Sequence, residues 1–226
     1  MILEALRYRV RGYIPFTNWW LLERKLDRSA ETILDLGCGR GKQMRFLNRK
    51  KQFYTVGVDL FDPYLDECRK DSNYKCVVKC DIRHLPYGDN SFDVVMCLDV
   101  LEHLGKDDGD RLVCDMVRIA RKQVLIQTPV GSYDWRGIHG NPLNRHIHVW
   151  SVAELQAYKF SGMYGRSLRG MCGDSGWSRR IPGSLRWLWD TVVAILVGCV
   201  VYFRPEWAGS VLCVAVPHAK EVDDHA

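Results

Sequence analysis

Asp35, Gly37, Gly39 and Gly41 stand at alternate positions, after the apolar residues Ile33 and Leu34 and before a segment that suits a helix from Lys42. A carboxylate followed by glycines on this spacing can receive a ligand. The glycines allow positive φ and let a ligand reach the main chain without a Cβ in the way. The helix that follows offers unpaired N–H groups to whatever lies over the loop. A dinucleotide site needs G-x-G-x-x-G so that a pyrophosphate sits on the helix N-terminus. Here the third glycine comes one residue early, and Asp35 would repel a pyrophosphate. The acid suits a ligand carrying an ammonium and a sulfonium.

Two more acids fall at comparable places. Asp59 follows the apolar stretch Phe53 to Val58, eighteen residues past Gly41. That is where an acid accepts hydrogen bonds from ribose hydroxyls. Its competing role, capping a helix that begins near Pro63, fits Asp62 better. Asp81 follows Tyr74 to Lys79, which reads as a third strand.

The phrase Asp35-x-Gly37-x-Gly39-x-Gly41 resembles motif I of the class I S-adenosylmethionine-dependent methyltransferases, and the resemblance extends over roughly residues 30–158. Leu85-Pro86-Tyr87, Asn90-Ser91-Phe92-Asp93, Asp99-x-x-Glu102-His103 and His148-Val149-Trp150-Ser151-Val152-Ala153-Glu154-Leu155 are also similar to phrases of that family. The resemblance implies S-adenosylmethionine as cofactor. It places Asp35, Gly37, Cys38, Gly39, Gly41 and Leu60 around the cofactor, Asp59 at the ribose, and the backbone near Leu98 at the methionine portion. Asp81 would accept from the adenine amine and the Ile82 N–H would meet a ring nitrogen. The implied fold is α/β: a Rossmann-like seven-stranded sheet, mostly parallel with an antiparallel last strand and helices on both faces.

The elements needed to hold these residues are readable. Ile33 to Leu36, Phe53 to Val58, Tyr74 to Lys79, Phe92 to Leu98 and Lys122 to Thr128 are the first five strands. Lys42 to Lys51 is the first crossover helix, and Leu112, Val113, Met116, Val117 and Ile119 recur at helical spacing after the acidic entry Asp107-Asp108-Gly109-Asp110. Ser151 with Glu154 forms a capping box for a helix over 152–158. Thr17 can cap a helix through Leu26, lying over the pocket or merely covering the sheet. This divides the chain into an N-terminal helical cap, 1–30, and a catalytic domain, 31–226, with a variable insertion at 159–205.

The polar, aromatic stretch from Val130 to Val149 follows the fifth strand and is where acceptor-binding groups gather. His139, His146 and His148 admit three readings. One is general base, since imidazole titrates near neutral pH. Another is metal ligand, although a hard cation wants oxygens and only Asp134 is near. The third is structural. His148, with His146 beside it, is the candidate catalytic base, and no metal is expected. Glu102 and His103 more naturally secure the turn after the fourth strand.

Beyond 158 the pattern loosens. A sixth strand is expected at Arg166 to Met171 and the last at Glu206 to Val216. Val192 to Phe203 carries no charge over twelve residues, short of the roughly 20 that span a bilayer. A buried crossover helix is the leading reading. An interfacial helix over 184–203, with Trp187 and Trp189 at headgroup level, is the alternative that would suit a lipid-linked acceptor.

With 226 residues, 47% apolar and 26% charged, the chain is long enough for one α/β domain and too hydrophobic for disorder. A net charge of +5 permits an anionic partner without requiring one. Nine scattered cysteines with no C-x-x-C pair point to a reducing, cytoplasmic setting, membrane association through 184–203 aside. The N-terminus carries Glu4, Arg7, Arg9 and Arg11 and no h-region, so no secretory signal is expected. The fourth strand ends in Cys97-Leu98-Asp99-Val100, without the Pro-Pro-aromatic motif of DNA amino-methyltransferases, so no DNA partner is expected. The function expected is methyl transfer to a small-molecule, quinone, lipid-linked or glycan acceptor. A catalytically silent cofactor-binding subunit and a nicotinamide-dependent oxidoreductase are its rivals.

Overall fold

A computed structural model of the chain describes residues 12–70, 73–131, 141–169 and 180–217, with 183, 184 and 187 described by backbone alone. Seven strands form one sheet: β1 Thr32–Leu36, β2 Tyr54–Asp59, β3 Cys76–Lys79, β4 Phe92–Leu98, β5 Ala120–Pro129, β6 Gly162–Leu168 and β7 Ala208–Ala215. Their order is β3-β2-β1-β4-β5-β7-β6. All pairings among β1 to β5 are parallel, whereas β7 runs antiparallel between β5 and β6. This is the sheet expected from the sequence.

Period-two alternation divides the core between two faces. Along β4, Val94 and Met96 join Ile33, Leu125 and Leu212 under α1 (Asn18–Lys25), α2 (Lys42–Leu47) and α3 (Asp62–Arg69). Val95 and Cys97 face the other way, toward Leu112, Val113 and Met116 of α4 (Lys106–Ile119) and Leu155 of α5 (Val152–Gln156). Every residue of β4 is buried, as a central parallel strand covered on both sides must be. The reversal of strand order lies between β1 and β4, so ligands are directed to the crevice beyond the carboxyl ends of these two strands.

Several boundaries differ from the sequence reading. The first crossover helix stops at Leu47, because the N–H of Asn48 closes the last turn and its side chain ties Phe53 and Asn73 together. The sixth strand lies earlier, at Gly162–Leu168, and residues 170 and 171 fall outside the described segments. Thr17 does cap α1, its Oγ1 accepting from the Trp20 N–H. Leu21, Leu22 and Leu26 then bury against the sheet, and Gln123 at the start of β5 bonds the backbone at Lys25 and Asp27. The described part of the N-terminal segment therefore covers the amino ends of the strands, not the crevice.

The expected buried crossover helix is a longer, half-buried one, α6 (Gly183–Phe203). Its inner face crosses β6 at Gly165, where a Cβ would lie 2.0 Å from the Val201 carbonyl oxygen. Among the described residues no further layer lies beyond β6, so Leu185, Leu188, Val192, Ile195, Leu196, Val200 and Phe203 remain exposed, Leu196 by 71% and Phe203 by 75%. Among the described residues no helix is long and apolar enough to cross a membrane.

Candidate functional site

The strand-loop-helix turn after β1 is built around close approach. Gly37, Gly39 and Gly41 have φ of 68°, 52° and 75°. At Gly37 a Cβ would sit 2.4 Å from Val100 Cγ2, so only glycine lets the loop cross the end of β4. Above Gly39 a Cβ would meet nothing within 4 Å. The loop is therefore packed from below and open above, as a cradle for a ligand must be. The Cys38 N–H bonds the Val58 carbonyl at 2.9 Å, and the Cys38 thiol lies 3.8 Å from that of Cys68. That contact and burial push the Cys38 thiol far above its usual range, which leaves it a neutral packing group.

Asp35 is buried, 2% exposed, and its Oδ2 accepts from the Tyr74 hydroxyl at 2.6 Å. Burial raises its pKa to about 7; Tyr74 works against that rise and Asp59 adds to it. Among the described residues no cation pairs with it by an ion-pair contact, so the carboxylate is costly to ionise until a positive group arrives. The sequence marks Tyr74 only as the beginning of a strand. Its contact with Asp35 spans 39 residues, and the one local sign is Gly57 inside β2, where a Cβ would collide with the Tyr74 ring at 2.7 Å.

Asp59 ends β2 and uses each oxygen once: Oδ2 accepts from the Gly39 N–H and Oδ1 from the Phe61 N–H, both at 2.9 Å. A carboxylate has about four acceptor positions, so it can hold the loop and still take hydroxyl donors. Asp62 does not cap α3 as expected; it pairs with Lys79 at 2.5 Å while Asp59 bonds the N–H just upstream. Asp81 follows β3 and is gripped by Arg83 through its backbone N–H and guanidinium. That side-chain bond, against some burial, keeps the Asp81 pKa low. Ile82 is half-buried against the α4 side of the core, while Leu60 is exposed. Leu98 is buried at the end of β4, one step along the register from Leu36↔Cys97.

A second group of titratable side chains lies on the turn after β4 and on the segment from Asn141. Asp99 takes φ of 57° and its Oδ2 accepts from Gln127 at 2.8 Å. Glu102 is buried, with Thr128 Oγ1 donating to its Oε2 at 3.0 Å. Burial, with Asp99 nearby, lifts its pKa to about 8. Its carbonyl accepts from the N–H groups of Ile147 and His148 at 2.8 and 3.3 Å, which pins the segment to the sheet. His103 Nδ1 lies 3.1 Å from the Arg145 carbonyl, and burial lowers its pKa. His146 Nε2 stands 3.9 Å from Glu102 Oε1, with its pKa brought to about 4 by burial and by His103.

The histidine favoured from sequence is placed differently from its neighbour. His148 Nε2 is 3.0 Å from Glu154 Oε1, on the capping box of α5, and its ring meets Trp150 edge-on. It belongs to the helix start, whereas His146 belongs to the Glu102 group. Asp134 and His139 lie outside the described residues.

Comparison with known proteins bears on the family and the fold. Residues 34–126 match the family described as Methyltransferase domain. The chain is 34% identical over 107 residues to the probable tRNA methyltransferase 9B of Homo sapiens, covering 46% of this chain and 22% of that protein. It is 26% identical over 136 residues to the ubiquinone biosynthesis O-methyltransferase of Neisseria meningitidis, covering 57% of this chain and 52% of that one. The chain thus spans between about a fifth and about a half of these curated relatives. Among solved structures, a Haloferax volcanii protein described as a putative methyltransferase, in complex with the Trm112 activator, superposes with a TM-score of 0.63 at 18% identity over 96% of both chains. A SAM-dependent methyltransferase from Archaeoglobus fulgidus gives 0.54 at 18% identity, covering 94% of this chain and 93% of that one. At such identities these structures speak for the fold.

Proposed function

Starting from a chain whose residues 34–126 form a class I S-adenosylmethionine-dependent methyltransferase domain, we propose that it transfers the cofactor's methyl group to a small-molecule or lipid-linked acceptor bound between the end of β4 and residues 141–149. The observation that carries this reading is the cradle at Gly39, open above and flanked by Asp35 and Asp59. A buried acid with no cationic partner among the described residues fits the ammonium and sulfonium of this cofactor. Asp59 would take the ribose hydroxyls, Asp81 shared with Arg83 the adenine amine, and the Ile82 N–H a ring nitrogen. The loop from Gly37 to Gly41 and the backbone near Leu98 would hold the methionine portion, with Cys38 and Leu60 alongside.

The sulfonium activates the methyl group, so the cofactor supplies the difficult chemistry. The protein's share is alignment and exclusion of water. Bound there, the cofactor would supply a methyl group whose bond to sulfur breaks, the electron pair returning to sulfur, as the acceptor's bond to that carbon forms. The acceptor's proton must leave. We place that task with the His146 and Glu102 group instead of His148, whose Nε2 already meets Glu154. The nicotinamide reading is set aside by the family match.

The exposed apolar side of α6 supports the lipid-linked version of the acceptor. A stripe from Leu185 to Phe203, flanked by Arg180 and Arg204, is suited to lie in the headgroup region of a bilayer. Flotation with anionic vesicles would carry the wild-type chain and release Leu196→Glu/Phe203→Glu; equal behaviour of the two removes the lipid contact. Calorimetry with S-adenosylmethionine, followed by radiolabelled methyl transfer into fractionated extract, tests the main reading. Binding without transfer into any fraction would favour the silent partner subunit. Label in the RNA fraction would replace the small-molecule acceptor by one like those of the tRNA methyltransferases among the relatives.

A further inference from the structure

Three metal-capable side chains converge where the sequence leads one to expect no metal. The ligand atoms of Glu102, His103 and His146 all lie within 4.8 Å of one another. We propose that Glu102, His103 and His146 form a binding site for a divalent transition-metal cation at the acceptor side of the crevice.

The cluster is fixed from outside and not by its own members, which make no hydrogen bond to one another. Glu102 Oε1 and His146 Nε2 are 3.9 Å apart, and the His103 and His146 rings meet edge to face with centroids 5.1 Å apart. Thr128 donates to the far oxygen of Glu102, and the Arg145 carbonyl takes His103 Nδ1. The latter bond puts the proton on Nδ1 and leaves the lone pair on the other ring nitrogen. An outer carbonyl that sets the tautomer of a histidine is the usual support for a metal ligand. The main-chain bonds from Ile147 and His148 to the Glu102 carbonyl fix His146 against the turn. The site is therefore set by backbone register.

Charge points the same way. Glu102 is 3% exposed, and among the described residues the basic side chain nearest to pairing with it is His146 itself. Asp99 acts electrostatically on all three members, and Arg166 offsets only part of the effect on Glu102. A carboxylate buried beside two imidazoles, with Asp99 near, has no compact positive charge at its centre among the described residues, and a cation would supply it.

Two imidazoles and one carboxylate select the ion. Such a set suits zinc, manganese, iron, cobalt or nickel in the divalent state, while magnesium and calcium ask for more oxygens. Bonds of about 2.0–2.2 Å put neighbouring ligand atoms roughly 3 to 3.5 Å apart. The present separations would close to that by small side-chain movements. Three protein ligands leave positions for water or an acceptor oxygen, and with the ion bound Glu102 and His146 act as ligands and not as the base for the acceptor's proton. That purpose rests on the methyl-transfer reading, but the existence of the site does not.

Cobalt is the probe. The full chain, stripped with EDTA and titrated with cobalt chloride, should show one equivalent by calorimetry and a visible d–d absorption band. His103→Ala and His146→Ala should each weaken binding at least tenfold, while S-adenosylmethionine affinity stays within twofold of wild type. Glu102→Gln should do the same, and circular dichroism checks its fold; the decision rests on the two histidine variants, which lie at half-buried positions. No band, or a band that survives both histidine substitutions, overturns the site. Binding of S-adenosylmethionine to the metal-free chain is measured alongside, so that loss of the cofactor reading and loss of the metal site give different results.

Discussion

Asp35 and Asp93 are both buried on neighbouring strands, β1 and β4, at opposite ends of the sheet. At the amino edge Asp93 is answered on every side. The N–H groups of Glu31 and Thr32 donate to Oδ2, and Arg121 donates to Oδ1 at 3.0 Å. These partners overcome its burial and hold its pKa at about 2. At the carboxyl edge Asp35 has one hydroxyl and a pKa of about 7. The same residue type is a fastener at one end and an unpaid debt at the other. A fold that needs an acid for its own stability surrounds it with donors, as at Asp93; Asp35, as the proposed cofactor contact would require, is not surrounded in this way among the described residues.

Removing each acid should separate these roles. Asp93→Ala leaves Arg121 and two backbone N–H groups without their acceptor, and should cost about 3 kcal/mol by chemical denaturation. Its S-adenosylmethionine affinity should stay within twofold. Asp35→Asn should do the reverse, weakening S-adenosylmethionine about thirtyfold by calorimetry, as loss of a charge-assisted contact does. Its stability at pH 8 should equal or exceed wild type. If both variants lose stability and keep affinity, the contrast between the edges is wrong.

Acidity gives a finer comparison. The Asp35 pKa is raised in the folded state, so between about pH 4 and 7 the native chain holds a proton that the unfolded chain has released. Its contribution to stability is therefore present at low pH and is lost as pH rises to about 7. Asp93, with a lowered pKa, contributes above about pH 4 and loses that contribution as pH falls to about 2. Wild type compared with Asp35→Asn should thus be relatively less stable at pH 8 than at pH 5. Cofactor affinity, which needs the ionised acid, should fall about tenfold between pH 8 and 6. A flat profile would mean that Asp35 does not meet the cofactor's charge. The smallest effect is expected from Tyr74→Phe. Without the hydroxyl the Asp35 pKa climbs further, and cofactor affinity at pH 7 should drop roughly threefold, recovering at pH 9.

What sequence can and cannot tell divides along the same line. The strands are readable because a doubly covered parallel strand is apolar at nearly every position, as Phe92 to Leu98 is. The glycine loop is readable because its parts follow one another, and Gly37 to Gly41 is a local pattern. Tyr74 escapes notice because its partner is 39 residues away. The Glu102, His103 and His146 group is only half visible for the same reason, since sequence points to Asp134 for an oxygen ligand and not to the turn just past β4. The sixth strand is misplaced from sequence because Gly162-Met163-Tyr164-Gly165 has no apolar run; β7 and the crossing of α6 define it. The exposure of α6 is illegible, because an uncharged segment looks the same whether or not another layer covers it.

The two N–H bonds from Ile147 and His148 to a single carbonyl oxygen have a consequence for redesign. Because main chain anchors that segment, the identities of Leu143, Arg145, Ile147 and Val149, all exposed, are free to vary without shifting its course. If the acceptor binds where we propose, swapping those four side chains would vary the surface it meets on an unchanged scaffold.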